Sequence, residues 1–185
     1  MAKKIIIVTG PIGSGKSTTI EYLRKKGFQT LDLDKISNEI INSNESIKFL
    51  DTNFPGVIKN QKLDKDSLAD IVFNDVDKLK TLEEYLHPKI LIEFQQLAAK
   101  IDGVLFVEVS APKNIHKDFE CLVISTPEAV RIERLLDRDM KLNDIKNRIQ
   151  TQQNEDWWNS LGHVIINNSH TSLEQEIDKY LNEQI

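Results

Sequence analysis

Cysteine is almost absent from this 185-residue sequence, which contains only Cys121. A single thiol cannot form a disulfide within the chain, and the sequence has no group of cysteines at the spacing of a zinc site. A chain of this length buries roughly 70% of the surface that its unfolded form exposes, so it needs no cross-link to fold. The cysteine content therefore predicts a protein of a reducing compartment, the cytoplasm.

Long apolar runs and an excess of basic charge are missing as well. The first apolar run, residues 5–8, is much shorter than the core of a signal peptide or a membrane span. Lysine and arginine total 24 against 29 acidic residues, which gives a net charge of -5, and no basic block is present. We therefore expect neither a membrane nor a nucleic acid as partner, and a phosphorylated small molecule stays possible. The oligomeric state is left open, and a monomer is compatible with the sequence.

Five short segments are predicted to be strands. The first, residues 5–9, is a β-branched run of the kind that parallel sheets bury on both faces. The others are residues 28–33, 104–109, 122–124 and 164–166. Helical sequence separates them, and strands that alternate with helices are typical of a parallel sheet. The predicted fold class is α/β with five parallel strands.

Two further segments are predicted to be helical. Residues 35–100 repeat apolar positions at spacings of three or four and show no strand pattern, so we expect a helical insert there. Residues 127–155 combine helical periodicity with several arginines, which predicts a lid that folds over a ligand. No repeat or flexible linker is present, so the whole chain, 1–185, is predicted to be one domain. Its core would consist of residues 1–34, 101–126 and 160–185.

Between the first strand and the first helix lies the sequence GPIGSGKS, residues 10–17, which matches the P-loop pattern G-x-x-x-x-G-K-[ST] in full. The glycines let the backbone turn its N–H groups toward phosphate oxygens, Lys16 neutralises those oxygens, and Ser17 offers a hydroxyl to Mg²⁺. A chance glycine-rich turn is the alternative, and the flanking strand and helix argue against it. The residues predicted to bind a nucleoside triphosphate here are Gly10, Gly13, Ser14, Gly15, Lys16, Ser17 and Thr18.

A P-loop by itself does not distinguish a kinase from a GTPase. The guanine-specificity motif Asn-Lys-x-Asp is absent, which argues against a GTPase. Asp32, Leu33 and Asp34 stand at the end of the second predicted strand. Period-two alternation would point both carboxylates to the same side at the carboxyl edge of the sheet. A carboxylate there can accept the proton of an attacking hydroxyl or hold Mg²⁺-bound water. The alternative for Asp34 is a cap on the next helix.

Other charged residues complete the predicted site. Glu108, near the end of the third predicted core strand, is a candidate Mg²⁺ ligand together with Ser17, and a solvated glutamate is the alternative. Arg131, Arg134 and Arg138 follow one another at helical spacings, so we expect them to share one face. An arginine that reaches the transferred phosphoryl group accelerates transfer, and Arg138 is the first candidate. The alternative is ion pairing with Glu128, Glu133, Asp137 and Asp139.

Together these residues resemble the dephospho-coenzyme A kinase family, and the likeness runs nearly end to end. The motifs that carry it in the first half are the P-loop, Gly27, Asp32-x-Asp34, Leu63-Asp64-Lys65, Leu68, Ile71-Val72-Phe73, Leu82-Glu83 and His87-Pro88. In the second half they are Arg134-Leu135, Arg138-Asp139, Arg148, Gln152 and the closing segment 164–168. The P-loop is shared by many families, whereas the His-Pro pair and the Phe73 segment are more specific.

The resemblance implies a fold, a reaction and a set of roles. The fold would be a P-loop kinase three-layer sandwich with a helical substrate-binding insert and a helical lid. The reaction would be phosphorylation of the ribose 3'-hydroxyl of dephospho-coenzyme A, with ATP and Mg²⁺. Lys16, Asp34 and Arg138 would be catalytic, with Asp34 as general base. Asp32, Lys65 and His87 would bind the acceptor, and Arg148 and Asn168 would bind ATP.

Some positions depart from the family pattern. Lys65 stands where the family usually has arginine, and a lysine offers a point charge instead of a bidentate fork. Residues 110–114 differ from the usual segment after the third strand, and two tryptophans, 157 and 158, replace lysine. Two other functions stay open at this point. One is another small-molecule P-loop kinase, such as a nucleoside monophosphate kinase, and the other is a nucleotide-binding regulatory module without turnover.

Overall fold

The computed structural model describes residues 4–112 and 115–185, apart from the side chains of residues 170 and 171. Residues 113 and 114, which end the segment that departs from the family pattern, lie outside this description. The described residues form two compact units. One contains the chain up to Asp32 together with Lys100–Ile185, and the other is Leu33–Ala99.

The secondary structure alternates strands and helices in the larger unit and is mainly helical in the smaller one. The strands are β1 (Lys4–Thr9), β2 (Gln29–Asp32), β3 (Ile58–Lys59), β4 (Lys62–Leu63), β5 (Val104–Glu108), β6 (Glu120–Ser125) and β7 (His163–Ile166). The helices are α1 (Lys16–Lys25), α2 (Leu33–Ile41), α3 (Asn44–Asn53), α4 (Lys65–Asn74), α5 (Val76–Ala99), α6 (Glu128–Leu136), α7 (Leu142–Gln150), α8 (Glu155–Asn159) and α9 (His170–Gln184).

The larger unit is built on a five-stranded parallel sheet in the order β2-β5-β1-β6-β7. The predicted α/β class and the five parallel strands are therefore confirmed. Central strand β1 is fully buried from Ile6 to Val8, so both faces of the sheet are covered at this strand. On one face, α1 and α9 pack against the sheet through side chains that include Leu23 and Ile177.

The register of the sheet brings several strand ends to one edge. Asp32, the last residue of β2, is paired with Glu108, the last residue of β5. Strand β1 ends next to β6, with Thr9 paired with Val123, and the chain then enters the P-loop. Because all five strands run in the same direction, their carboxyl ends form one edge, which is where open α/β sheets bind ligands.

The smaller unit has its own core of side chains from four helices, and it is mainly helical, as predicted. The prediction that residues 35–100 contain no strand is wrong, because β3 and β4 form a short antiparallel hairpin. The two residues that connect these strands, Asn60 and Gln61, both have positive φ, 50° and 62°, as the two-residue hairpin turn requires. Strands of two residues are too short to leave an alternating pattern in the sequence.

Across residues 4–112 and 115–185, the helices are too short or too polar for any of them to cross a bilayer.

Candidate active site

The P-loop joins the end of β1 to the start of α1 at Lys16, and its path depends on two glycines. Gly10 has φ 146° and Gly15 has φ 102°, values that L side chains rarely adopt. A Cβ on Gly10 would lie 2.2 Å from the carbonyl oxygen of Ile124, and a Cβ on Gly15 would lie 2.2 Å from Nδ2 of Asn167. Glycine is therefore required at both positions for backbone conformation and for space.

The ammonium group of Lys16 is held inside the loop. Its Nζ donates hydrogen bonds of 2.9 Å to the carbonyl oxygen of Gly10 and 3.1 Å to that of Pro11. Only 8% of the residue is exposed, although lysine is rarely buried without compensation. A cation in this position faces the same loop whose N–H groups suit phosphate, so the loop combines backbone donors with a positive charge.

Oxygen ligands suited to a hard cation meet beside the start of α1. The hydroxyl of Ser17 donates a hydrogen bond of 2.7 Å to Oε1 of Glu108. The strand register places Asp32 next to Glu108 at the same sheet edge. Mg²⁺ takes oxygen ligands, often from one or two carboxylates together with substrate phosphates, so this donor set fits Mg²⁺. The structure thus brings together the two residues that the sequence predicts as Mg²⁺ ligands.

Behind the P-loop lies a buried polar cluster that was not predicted from the sequence. The carbonyl oxygen of Ser14 accepts hydrogen bonds from Nδ2 of Asn167 at 2.8 Å and from Oγ1 of Thr126 at 2.9 Å. Asn167 is 3% exposed, whereas the neighbouring Asn168, predicted to bind ATP, is exposed. The only sequence signal for this cluster is that Asn167 directly follows the predicted strand 164–166 and that Thr126 comes two residues after the predicted strand 122–124. An ATP-binding role for Asn168 stays a prediction.

The three arginines of the predicted lid do not share one helical face, and that expectation is wrong. Helix α6 ends at Leu136, so Arg138 lies in the turn that follows it and is exposed. Arg131 and Arg134 lie on α6 and both contact Thr126. The first donates from Nε to the backbone oxygen at 3.1 Å, and the second from Nη1 to Oγ1 at 3.5 Å.

Arg131 is the most buried of the three. Burial lowers its pKa from the ordinary value, and the charges of Glu128 and Glu155 oppose this shift. Its guanidinium lies 3.8 Å from Glu128, so the ion-pair alternative holds for this arginine. It also donates to the carbonyl oxygen of Ile12 at 3.4 Å, and Arg131 is therefore part of the wall behind the P-loop.

The segment after α7 also contacts the P-loop. Oε1 of Gln152 accepts a hydrogen bond of 2.9 Å from the backbone N–H of Ile12. Arg148, predicted to bind ATP, lies in the last turn of α7 and is exposed. The second tryptophan, Trp158, is only 4% exposed and donates from its indole nitrogen to the carbonyl oxygen of Gln153. It therefore serves the packing of this segment.

In the smaller unit, Asp34 is not placed as the sequence pattern suggested. Strand β2 ends at Asp32 and helix α2 begins at Leu33, so period-two alternation does not extend to Asp34 and that expectation is wrong. Asp34 lies in the first turn of α2, where the helix dipole favours a negative charge.

Asp34 and Lys65 line one groove of the smaller unit, with a volume of about 300 Å³. The Nζ of Lys65 donates a hydrogen bond to Oδ1 of Asn38, another lining residue. The remaining lining residues are mainly apolar: Ser37, Ile41, Leu63, Leu68, Ala69, Val72, Phe73 and Leu82. His87 lies on α5, and its side chain is exposed. The groove thus offers a carboxylate, a cation and an apolar wall.

Comparison with known proteins identifies the family. The family model described as dephospho-CoA kinase matches residues 4–174. The dephospho-CoA kinase of Helicobacter pylori is 31% identical, and the match covers 97% of this chain and 96% of that protein. The solved structure of the dephospho-CoA kinase from Campylobacter jejuni is 30% identical with a TM-score of 0.71, and the match covers 99% of this chain and 97% of that one.

A crystal structure from Thermus thermophilus is still more similar in fold, with a TM-score of 0.92 at 27% identity and full coverage of both chains. The matches extend over both the P-loop unit and the helical unit, so the likeness is not limited to the nucleotide-binding motif. This chain belongs to the dephospho-CoA kinase family.

Proposed function

We propose how the residues of this chain divide the work of the family's reaction. That reaction is the ATP-dependent phosphorylation of dephospho-coenzyme A, the last step of coenzyme A biosynthesis, and it is the function of this chain. Phosphoryl transfer asks a protein mainly to position two substrates and to stabilise charge on the transferred group. In this proposal the P-loop unit binds the phosphoryl donor, ATP, and the helical unit binds the acceptor, dephospho-coenzyme A.

The P-loop unit binds the triphosphate. Backbone N–H groups of residues 10–17 surround the phosphates, with Gly10, Gly13, Ser14 and Gly15 forming the loop and Thr18 continuing into α1. Lys16 releases its loop carbonyls and neutralises phosphate oxygens. Arg138, Arg148 and Asn168 belong to the same donor site, with Arg138 supplied by the lid segment 127–155. The exposure of all three leaves their side chains accessible to a nucleotide.

Ser17 and Glu108 would hold Mg²⁺. We assign Asp32, which is paired with Glu108 at the same sheet edge, to water molecules of the ion or to acceptor binding. The hydrogen bond between the Ser17 hydroxyl and Glu108 supports this assignment, since each contributes an oxygen to the same point. Mg²⁺ held there would supply positive charge that offsets the negative charge developing on the transferred phosphoryl group. The carboxylate of Glu108 keeps the serine hydroxyl oriented for this role.

The helical unit binds the acceptor in the groove of Asp34 and Lys65. We assign Asp34 as the general base that takes the proton of the 3'-hydroxyl, and Lys65 and His87 as contacts to the phosphorylated acceptor. The observation that carries this assignment is that Asp34 and Lys65 line one partly apolar groove. A nucleotide-like acceptor presents a hydroxyl, phosphate groups and a base. The groove offers a carboxylate to the hydroxyl, a cation to the phosphates and an apolar wall to the base.

Two properties of the whole chain also belong to this proposal. We place the enzyme in the cytoplasm, because its sequence has a single cysteine and its reaction belongs to coenzyme A biosynthesis. We also treat residues 1–185 as one domain in sequence, with an acceptor-binding insert at about 35–100. We also predict that the enzyme uses ATP as its cosubstrate and Mg²⁺ as its metal ion.

The experiment that tests the proposal is an ADP-release assay with dephospho-coenzyme A and, in parallel, with AMP, CMP and UMP. We expect Mg²⁺-dependent ADP release with dephospho-coenzyme A, and mass spectrometry of the product should show one added phosphate on the ribose. Preference for a nucleoside monophosphate would contradict the acceptor assignment. ATP binding without turnover of any acceptor would contradict the catalytic roles.

A further inference from the structure

Asn167 occupies a rigid position directly behind the P-loop. Its backbone N–H donates a 2.7 Å hydrogen bond to the carbonyl oxygen of Ser125, so the first residue after β7 remains tied to the end of β6. Its side chain then reaches the carbonyl oxygen of Ser14 at 2.8 Å. Ser14 is fully buried and Asn167 is 3% exposed, so water has little access to replace this hydrogen bond.

The orientation of the Asn167 amide is determined by its neighbours. The Nη2 of Arg134 lies 3.3 Å from Oδ1 of Asn167, and a guanidinium can only donate, so the oxygen must face it. The carbonyl oxygen of Ser14 can only accept, so the nitrogen must face Ser14. One orientation of the amide meets both requirements. The flipped orientation would place the amide nitrogen against the guanidinium, and the amide oxygen against the carbonyl oxygen of Ser14.

A second donor, Thr126, also contacts the carbonyl oxygen of Ser14, but its hydroxyl proton has two possible acceptors. Its hydroxyl lies 2.9 Å from that oxygen and 3.1 Å from the carbonyl oxygen of Asn167. A hydroxyl has one proton and donates it to one acceptor at a time. Asn167 is therefore the donor that holds the Ser14 carbonyl group continuously.

The consequence of this anchor appears on the other side of the peptide plane. The described residues contain no cis peptide bond, and in a planar trans peptide the C=O and the following N–H point in opposite directions. Because the Ser14 carbonyl group points toward Asn167, the N–H of Gly15 points away from Asn167 and into the loop. P-loops use such inward N–H groups to bind phosphate oxygens.

We propose that Asn167 is a positioning residue for the phosphates of the nucleotide. It holds the Ser14–Gly15 peptide in the orientation that presents the Gly15 N–H to a phosphate oxygen, and Arg134 keeps the Asn167 amide in the required rotamer. This inference rests on the proposed function, in which the P-loop binds a nucleotide, and it concerns the phosphate groups of that nucleotide. Asn167 acts on the polyphosphate and not on the base.

The test compares variants that change the amide with as little change in shape as possible. Asn167→Asp keeps the size of the side chain but replaces the donor with a carboxylate oxygen next to the Ser14 carbonyl oxygen. Asn159→Asp is the matched control, because it makes the same chemical change at an exposed residue at the end of α8. Isothermal titration with ADP and with inorganic tripolyphosphate, both with Mg²⁺, measures phosphate binding directly.

We expect Asn167→Asp to weaken the binding of both ligands by at least tenfold, and Asn159→Asp to bind as the wild type does. Initial rates should show a raised KM for ATP, an unchanged KM for dephospho-coenzyme A and the same preference for ATP over GTP. A general loss of structure would instead lower the fraction of active protein and leave KM for ATP unchanged. Asn167→Ser, which adds no charge, serves if the aspartate variant does not fold, and we expect the same pattern from it.

Two results would overturn the proposal. One is wild-type affinity for tripolyphosphate in either folded Asn167 variant. The other is a changed preference for ATP over GTP with tripolyphosphate binding intact, which would mean that Asn167 reads the base. A wild-type chain that binds neither ADP nor tripolyphosphate would refute nucleotide binding itself, so the failure of the broader function is separable from the failure of this proposal.

Discussion

The hydroxyl of Ser17 donates a 2.7 Å hydrogen bond to the carboxylate of Glu108, a residue 91 positions further along the chain. One residue belongs to the first turn of α1 and the other ends β5, so the contact links the P-loop to a neighbouring strand of the sheet. A glutamate side chain is long enough to reach the helix from the strand end. This pair is the magnesium site that we propose.

Replacing Glu108 with glutamine should raise the Mg²⁺ concentration needed for half-maximal activity by roughly 10- to 100-fold, as for other residues that bind or orient metal ligands. The amide keeps the size of the side chain and loses its charge. Ser17→Ala should act in the same direction, because it removes the hydroxyl. A Mg²⁺ titration of ADP release measures the effect. Glu120→Gln, at an exposed residue that begins β6, is the control, and an unchanged Mg²⁺ requirement in the Glu108 variant would exclude Glu108 from the ion site.

Asp34→Asn should lower kcat by about 10²- to 10⁴-fold, the range of general-base catalysis, while ATP still binds. The asparagine side chain has the same shape but cannot accept a proton at neutral pH. The matched control is Asp77→Asn, which removes a first-turn aspartate from α5 outside the groove. Single-turnover rates together with ATP binding separate chemistry from affinity, and normal turnover in the Asp34 variant would show that another group is the base.

Lys65→Ala should raise KM for dephospho-coenzyme A by roughly three- to tenfold with little change in KM for ATP, since an exposed charge contributes only modestly to binding. Lys65→Arg should retain or improve acceptor binding, because a guanidinium can form two parallel hydrogen bonds to a phosphate. Lys62→Ala, in β4 and outside the groove lining, should leave both constants unchanged. Equal effects of the two alanine variants would contradict a specific role for Lys65.

Gly10→Ala should destabilise the protein far more than Gly27→Ala. Both glycines have positive φ, 146° and 92°, so both variants carry backbone strain. At Gly10 the new Cβ would also meet the backbone oxygen of Ile124 at 2.2 Å, whereas no described atom lies within 4 Å of a Cβ at Gly27. Thermal melting of the two variants gives the comparison, and equal melting temperatures would show that the loop adapts without cost.

Cys121 should react very slowly with iodoacetamide at pH 8 in the native protein and quickly in urea. Burial raises the pKa of its thiol to about 11 from an ordinary value of 9.0, so the nucleophilic thiolate is scarce in the folded state. For the same reason the folded state should lose stability as the pH rises above 9, where the unfolded chain ionises first. Mass spectrometry over time measures the modification. Rapid labelling of the native protein would contradict this prediction and would show that β6, which contains Cys121, opens readily.

Much of the donor site could be predicted from the sequence because it is local. Eight consecutive residues, 10–17, contain the glycines, the lysine and the serine of the P-loop, and an apolar strand and a helix on either side complete the motif. The five parallel strands were also predictable, since β1, β5 and β6 are mainly apolar, the edge strand β7 contains a shorter apolar segment, and the edge strand β2 lies between the apolar residues Phe28 and Leu33. The hairpin β3–β4 was not, because its strands have only two residues each.

The sequence by itself determined the fold class, the P-loop and the nature of the reaction, because contiguous patterns and family motifs record these. Only the tertiary structure decided which distant side chains meet. Asn167 stands behind Ser14 because β6 and β7 end side by side, and Glu108 meets Ser17 because β5 lies next to β1. It also separated Arg138 from Arg131 and Arg134, since α6 ends before Arg138. Contacts of this kind depend on where elements end and which strands are neighbours, and neither is encoded by spacing along the chain.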